Sequence, residues 1–138
     1  MIQDGFSLGC NGRGLMHTKE LSLDDQFRLI RDSGVFDHFD RIPQPGQERE
    51  YVQASNRFGI PLTTGLWTYQ VGRDEGMVRH NLDWASKAGA KCHNLMISTH
   101  HANGHVVTDD EVVDFYLYAY EVAESLDITI SAEVHIYM

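Results

Sequence analysis

The feature that most constrains the fold is a repeated order of strand, loop, amphipathic helix and glycine along the chain. Strands are predicted at residues 6–10, 35–42, 60–67, 90–99 and 128–137. Helices are predicted at residues 23–33, 47–58 and 75–88, and a fourth follows Thr108. Gly34, Gly59 and Gly89 stand where a left-handed residue ends a helix. Because strands that alternate with helices form parallel βα units, we predict an α/β fold with about five strands and four helices.

Two of the predicted helices begin at recognisable capping signals. Ser22 is a predicted N-cap, and Thr108 with Glu111 has the spacing of a capping box. The intervals of three and four residues predict a buried stripe on the last helix, consisting of Val112, Tyr116, Tyr120 and Ala123.

The last strand bears on the choice between a (β/α) barrel and an open doubly wound sheet. Ile130 and Ala132 fall on one face, and Ser131, Glu133 and His135 fall on the other. A central strand of an open parallel sheet tends to be apolar on both faces. A barrel strand can turn a polar face to the lumen, whose C-terminal mouth carries the active site. We favour the barrel, although an exposed edge strand has the same alternation.

Composition excludes several classes of protein. The 138 residues are enough for one compact domain, which we assign to residues 1–138. A net charge of −9 argues against a nucleic acid partner, which needs a basic surface. No apolar run approaches the roughly 18 residues of a membrane span, and the N-terminus lacks the pattern of a secretory signal. Two cysteines are too few for a disulfide scaffold, so we expect a cytoplasmic protein.

Glu133 is the strongest candidate for a catalytic residue. A carboxylate near the end of a lumen-facing strand is costly to bury unless it binds a cation or joins a hydrogen-bond network. Its oxygens suit Mg²⁺, Mn²⁺ or Zn²⁺. His135 lies two residues further on the same face. We therefore predict that Glu133 is a catalytic residue and a metal ligand, and that His135 contacts the substrate.

Other candidates for substrate binding follow the predicted strands. His100 and His101 come directly after the fourth strand, with His105 in the same loop. Asn11 follows the first strand, and Trp67 ends the third. We predict that Asn11, Trp67, His100 and His101 line the pocket, although solvated loop residues and simple packing fit the same pattern.

The glycine-rich segment 9–14 has the order GxxGxG rather than GxGxxG. No helix is predicted directly behind it, as a cradled pyrophosphate would need. We therefore predict a flexible loop between strand and helix.

The order of elements resembles the xylose isomerase-like TIM barrels, a superfamily of sugar isomerases, epimerases and endonuclease IV. The resemblance rests on five segments: Phe6-Ser7-Leu8-Gly9-Cys10, Asp32-Ser33-Gly34, Gly65-Leu66-Trp67, His100-His101 and Ile130-Ser131-Ala132-Glu133-Val134. It covers most of the chain, and its one position-specific match is Glu133, which looks like the family's first metal ligand.

The resemblance implies the N-terminal portion of a (β/α)8 barrel that isomerises or epimerises a sugar or polyol phosphate. In that family a Glu, an Asp, a His and a second Glu hold a divalent metal. Here Glu133 matches the first, and the strands expected to supply the other three would follow Met138. We therefore expect metal binding (Mg, Mn or Zn) and catalysis of the complete barrel rather than of this chain alone.

Two other classes stay open at this point. A flavodoxin-like or receiver-like module for small-molecule binding or signalling also has about five strands, with the first strand inside the sheet. A non-catalytic interaction or remnant protein would expose sheet edges and self-associate through them. An endonuclease within the same superfamily is disfavoured by the net charge of −9.

Overall fold

The structure is a computed structural model that describes residues 7–15, 21–41, 43, 45–63 and 66–133. Its strands are β1 (Gly9–Asn11), β2 (His38–Asp40), β3 (Leu62–Thr63), β4 (Leu66–Tyr69), β5 (Cys92–Ile97) and β6 (Thr129–Ala132). Its helices are α1 (Gly12–Leu15), α2 (Leu23–Ser33), α3 (Glu48–Phe58), α4 (Glu75–Lys87) and α5 (Asp109–Glu124). The described residues contain no helix that is both long and apolar enough to span a bilayer.

All the strands pair in parallel, in two sheets of order β1-β2-β3 and β4-β5-β6. β3 and the first two residues of β4 fall in the strand predicted at residues 60–67; β3 pairs with β2, and β4 pairs with β5. The predicted α/β fold of parallel βα units is therefore confirmed. In a flavodoxin-like sheet β1 would lie inside, whereas here β2 occupies the middle position between β1 and β3.

The predicted capping signals begin and end the helices as expected. The Ser22 hydroxyl accepts from the Asp25 amide at the start of α2, and Gly34 ends this helix at a φ of 60°. Thr108 and Glu111 form the predicted capping box at the start of α5. These local bonds satisfy backbone groups that the helix itself leaves unpaired.

Three details of the prediction are wrong. Asn11 belongs to β1 and residues 12–15 form one helical turn, so this segment is not simply a loop. Among the described residues, β2 and β5 are shorter than the strands predicted at residues 35–42 and 90–99. Tyr120 is 55% exposed rather than buried, because α5 packs through a stripe one residue earlier. The buried residues of α5 are Phe115, Ala119, Val122 and Ala123.

This packing leaves an apolar surface beside β6. Leu117 and Tyr120 are more than half exposed, and a groove of about 360 Å³ runs between α5 and β6. Within the described residues, β6 pairs on one side only, with β5. Self-association through exposed edges stays a prediction.

The helices cover one face of both sheets. Phe27 of α2 meets Phe39 of β2 edge-on at 5.2 Å, and Phe115 of α5 meets Tyr69 of β4 at 5.9 Å. Because side chains alternate along a strand, the residues between these buried positions point to the opposite face. We call this opposite face the polar face; it carries Asn11, Asp40, Thr63, Asn94, Ser131 and Glu133.

Candidate functional site

Glu133 lies directly after β6 and its carboxylate is hydrogen-bonded to the neighbouring strand. Its backbone N–H donates to Leu95 O at 3.0 Å, which continues the parallel ladder beyond Ala132. Asn94 Nδ2 of β5 donates to Glu133 Oε2. The predicted polar face of this strand is thus present, with Glu133 at the C-terminal end of β6.

A serine fixes the orientation of the Asn94 amide. Ser131 Oγ donates to Asn94 Oδ1 at 3.2 Å, which leaves Nδ2 to face Glu133. Cys92 Sγ lies 3.6 Å from Ser131 Oγ, so the contacts continue across the two strands. All four side chains are only partly exposed. The arrangement holds a carboxylate in one place, as acid–base chemistry on a bound substrate requires.

A second carboxylate is held in a similar way on the other sheet. Asn11 Nδ2 donates to Asp40 Oδ2 at 3.1 Å, and Thr63 Oγ1 makes a longer contact of 3.4 Å with Asp40 Oδ1. Asn11, Asp40 and Thr63 are the last residues of β1, β2 and β3. This cluster therefore lies at the C-terminal ends of three adjacent parallel strands.

The histidine loop after β5 is tied to the start of α5. The rings of His101 and His105 stack with centroids 4.6 Å apart. His105 Nε2 lies 3.0 Å from Glu111 Oε1, and His101 Nε2 lies 4.0 Å from the same oxygen. The pKa of Glu111 falls to about 2, chiefly because the Thr108 backbone N–H donates to the carboxylate, with His105 adding to the effect.

His101 also packs against the loop that follows β4. A Cβ placed on Gly72 would come within 2.3 Å of the His101 ring, and the φ of Gly72 is 81°. The positive φ favours glycine at this position, and any larger side chain would also have to displace the His101 ring. His100 is exposed, and its Nδ1 lies 3.0 Å from Thr99 Oγ1. The two predicted histidines are thus adjacent in the loop, but only His101 joins the cluster with Glu111.

Trp67 occupies a different place from the other candidates. It is in register with Leu95 and stacks on Tyr69 at 6.0 Å, so it lies on the helix face of β4. The structure therefore does not bring Trp67 to Glu133 or Asn94. His135 lies outside the described residues. The substrate contacts of both residues stay predictions.

A buried polar network on the helix face was not predicted. Trp84 Nε1 donates to Asn81 Oδ1 at 3.3 Å, and Asn81 Nδ2 donates to Tyr69 Oη at 2.8 Å. Because the Tyr69 oxygen accepts from Asn81, its hydroxyl hydrogen is donated to His93 Nε2 at 2.9 Å, and this nitrogen is therefore the unprotonated one. Burial lowers the pKa of His93 to about 4 and raises that of Tyr69.

The described residues do not fit a complete metal centre. They contain no group of three or more His, Cys, Asp or Glu side chains that could hold an ion. The donors near Glu133 are an amide, a hydroxyl and a thiol, and one carboxylate does not fix a divalent ion. The predicted role of Glu133 as a metal ligand therefore stays a prediction.

Two site residues were missed by the sequence analysis. Asn94 lies in the middle of the strand predicted at residues 90–99, and only the register with β6 places it beside Glu133. Asp40 ends a short strand before a proline-rich turn, where an Asp is common for local reasons. The alternation along β2 was the available signal, because it places Asp40 opposite the buried Phe39.

Two solved structures have a similar fold. One is a sugar phosphate isomerase/epimerase from Parabacteroides distasonis, with a TM-score of 0.55 and 9% identity over 95% of this chain and 52% of that one. The other is the IolI protein with a bound zinc atom, with a TM-score of 0.62 and 15% identity over 92% of this chain and 51% of that one. No protein-family model and no curated protein matches the sequence.

These likenesses establish the class of fold. The chain has the architecture of part of a parallel (β/α) barrel, as the sequence predicted. It spans about half the length of the two similar proteins. At identities of 9% and 15% the likeness concerns the fold alone, and function has to be argued from the site.

Proposed function

We propose that this chain forms the Glu133 side of the active site of a barrel that isomerises or epimerises a sugar or sugar phosphate. The observation that carries the proposal is the Glu133 carboxylate, which lies at the C-terminal end of β6 and accepts from Asn94. Active sites of TIM barrels are built at that end. The fold is similar to that of a sugar phosphate isomerase/epimerase, which supports the choice of substrate class.

The proposed chemistry is proton transfer between neighbouring carbons. The Glu133 carboxylate takes a proton from the hydroxyl-bearing carbon beside the carbonyl, and the electron pair left behind forms an enediolate with the carbonyl oxygen. In isomerisation Glu133 returns this proton to the former carbonyl carbon, while the proton of the neighbouring hydroxyl moves to the enediolate oxygen. In epimerisation water supplies a proton to the opposite face of the same carbon, and Glu133 gives its proton back to water. The substrate and its isomer have the same atoms, so no second reactant is needed. Asn94 keeps the carboxylate in place through its hydrogen bond.

The proposal includes a divalent ion only as an expectation for the complete barrel, in which other strands would supply the remaining ligands. One similar structure, IolI, has a bound zinc atom. The described residues of this chain contribute Glu133 as the proposed acid–base group. The histidine loop provides His101 at the same end of the strands as a further substrate contact. Sugar chemistry of this kind also suits the expected cytoplasmic location.

The test is a search for isomerisation by the full-length protein. We would incubate it with D-glucose, D-fructose, D-ribose and their phosphates, with Mg²⁺, Mn²⁺ or Zn²⁺ added in turn, and follow the products by NMR. Appearance of the corresponding ketose, aldose or epimer supports the proposal. Absence of any new isomer across the whole panel, from a folded protein, contradicts it.

A further inference from the structure

We infer that Ser131 is a positioning residue for the proposed base and that it acts on Glu133 through the side-chain amide of Asn94. The inference rests on the proposed function, because it concerns the same reaction. It adds a hydroxyl that sets the rate of the reaction without exchanging a proton with the substrate.

The polar face of β5 and β6 carries four side chains whose contacts alternate between the two strands. Asn94 and Ser131 are Cα partners in the parallel ladder, and so are Cys92 and Thr129. Successive contacts join Cys92 Sγ to Ser131 Oγ at 3.6 Å, Ser131 Oγ to Asn94 Oδ1 at 3.2 Å, and Asn94 Nδ2 to Glu133 Oε2. The contacts therefore lead along the two strands toward the C-terminal end of β6, where Glu133 lies.

The hydrogens in these contacts all point toward Glu133. An ionised carboxylate only accepts, so Asn94 presents its Nδ2 to Glu133 and its Oδ1 to Ser131. Ser131 then donates its one hydroxyl hydrogen to Oδ1, and its oxygen accepts from the Cys92 thiol. The Asn94 amide is thus bonded at both ends, in the orientation that suits a carboxylate.

The bond at the Ser131 end matters because the amide torsion of asparagine is soft. The χ2 angle of asparagine has a broad, roughly two-fold distribution, so an amide bonded at one end can rock or turn over. A turned amide would place Asn94 Oδ1 against the Glu133 carboxylate, where both groups only accept. Proton transfer needs the base in a fixed geometry relative to the reacting carbon, so motion of the carboxylate lowers the rate. Ser131 therefore acts by holding the amide that holds the base.

The first test follows the Asn94 side-chain amide by NMR in the full-length protein without substrate. In the wild-type protein the amide hydrogen bonded to Glu133 should exchange slowly with water. We expect Ser131→Ala to speed this exchange about tenfold, because the amide loses the bond at its other end. Ser131→Thr keeps the hydroxyl on a residue that favours strands, and it should restore slow exchange. Unchanged exchange in Ser131→Ala overturns the inference.

The second test is a double-mutant cycle on isomerisation of a substrate that the wild-type protein converts. Ser131→Ala should lower kcat about tenfold and leave KM unchanged, and Ser131→Thr should recover most of kcat. In an Asn94→Ala background the Ser131→Ala change should alter kcat by less than about twofold, because the amide through which it acts is gone. Ser125→Ala is the matched control and should leave kcat unchanged, since Ser125 Oγ donates to Val122 O at 2.7 Å beside the end of α5.

The other outcomes separate this inference from the proposed function. A purely structural role for Ser131 would lower kcat by the same factor with and without the Asn94 amide, and this result overturns the inference. Equal kcat values for the wild-type protein and Ser131→Ala also overturn it and leave the Glu133 proposal standing. If the wild-type protein converts no substrate of the panel, the proposed function fails and the role of Ser131 in catalysis fails with it.

Discussion

The buried His93 makes a quantitative prediction about stability and pH. Its side chain is fully buried, its Nε2 accepts from Tyr69, and burial lowers its pKa from 6.5 to about 4. Each pKa unit corresponds to 1.36 kcal/mol, so the full effect is roughly 3 kcal/mol. Because the folded state keeps this imidazole neutral, acidification lowers the free energy of unfolding.

The sign follows from the protons bound in each state. Between pH 6.5 and 4 the unfolded chain protonates this histidine and the folded protein does not. The free energy of unfolding then rises with pH across this window and falls as the solution is acidified. Integration between pH 7 and pH 5 gives a loss of about 2 kcal/mol from His93 alone.

The variant His93→Gln isolates this contribution. Its side-chain carbonyl can still accept from Tyr69, but it does not titrate. Urea unfolding followed by tryptophan fluorescence at pH 7, 6 and 5 gives the free energy of unfolding of both proteins. His80 and His105, each beside a carboxylate, are present in both proteins and cancel in the comparison.

We expect the wild-type protein to lose about 2 kcal/mol more than His93→Gln between pH 7 and pH 5. Equal losses in the two proteins, within about 0.5 kcal/mol, would refute the reasoning. An NMR titration of the wild-type His93 ring gives an independent check, because its pKa is expected near 4.

Two further predictions concern the helices. Leu82→Ala removes a fully buried side chain and should lower the free energy of unfolding in urea by about 2–5 kcal/mol. Leu117→Ala is the control, because Leu117 is 56% exposed, and it should lower this free energy far less. Equal losses in the two variants would contradict the observed packing. Thr108→Ala removes the capping box of α5 and should lower the free energy of unfolding by about 1 kcal/mol. Thr108→Ser keeps the hydroxyl and should retain most of the stability. An equal loss in both variants would contradict this role for the hydroxyl.

The helices were predictable where local chemistry determines them. α2 has the predicted bounds, because Ser22 caps its start, Gly34 ends it, and Phe27 and Ile30 mark one buried face. α5 shows where periodicity fails. Val112, Tyr116 and Tyr120 share one stripe, but α5 has apolar residues on several faces. Periodicity therefore cannot choose among them, and only contacts with the sheet bury Phe115 and Ala119 instead.

The candidate site was predictable in part, for a related reason. Glu133 could be found because its own strand alternates between apolar and polar residues. Asn94 and Asp40 could not be assigned to the candidate site from the sequence, since each has its hydrogen-bond partner on a neighbouring strand. Their relation to Glu133 and Asn11 depends on the register between strands, which no local pattern records.

The measurement that tests the central claim most directly is proton exchange on the substrate in heavy water. NMR of the sugars and sugar phosphates named above, in D₂O with the full-length protein, reports deuterium entering at the carbon beside the carbonyl. Glu133→Gln removes the proposed base, and Glu121→Gln is the control, since Glu121 is exposed on α5.

The account predicts that the wild-type protein and Glu121→Gln catalyse this exchange at equal rates. It predicts a rate lower by about 10²–10⁴-fold for Glu133→Gln, the usual contribution of a positioned acid–base residue. An exchange rate for Glu133→Gln equal to that of the wild-type protein, or no catalysed exchange by the wild-type protein with any of these substrates, would contradict the account.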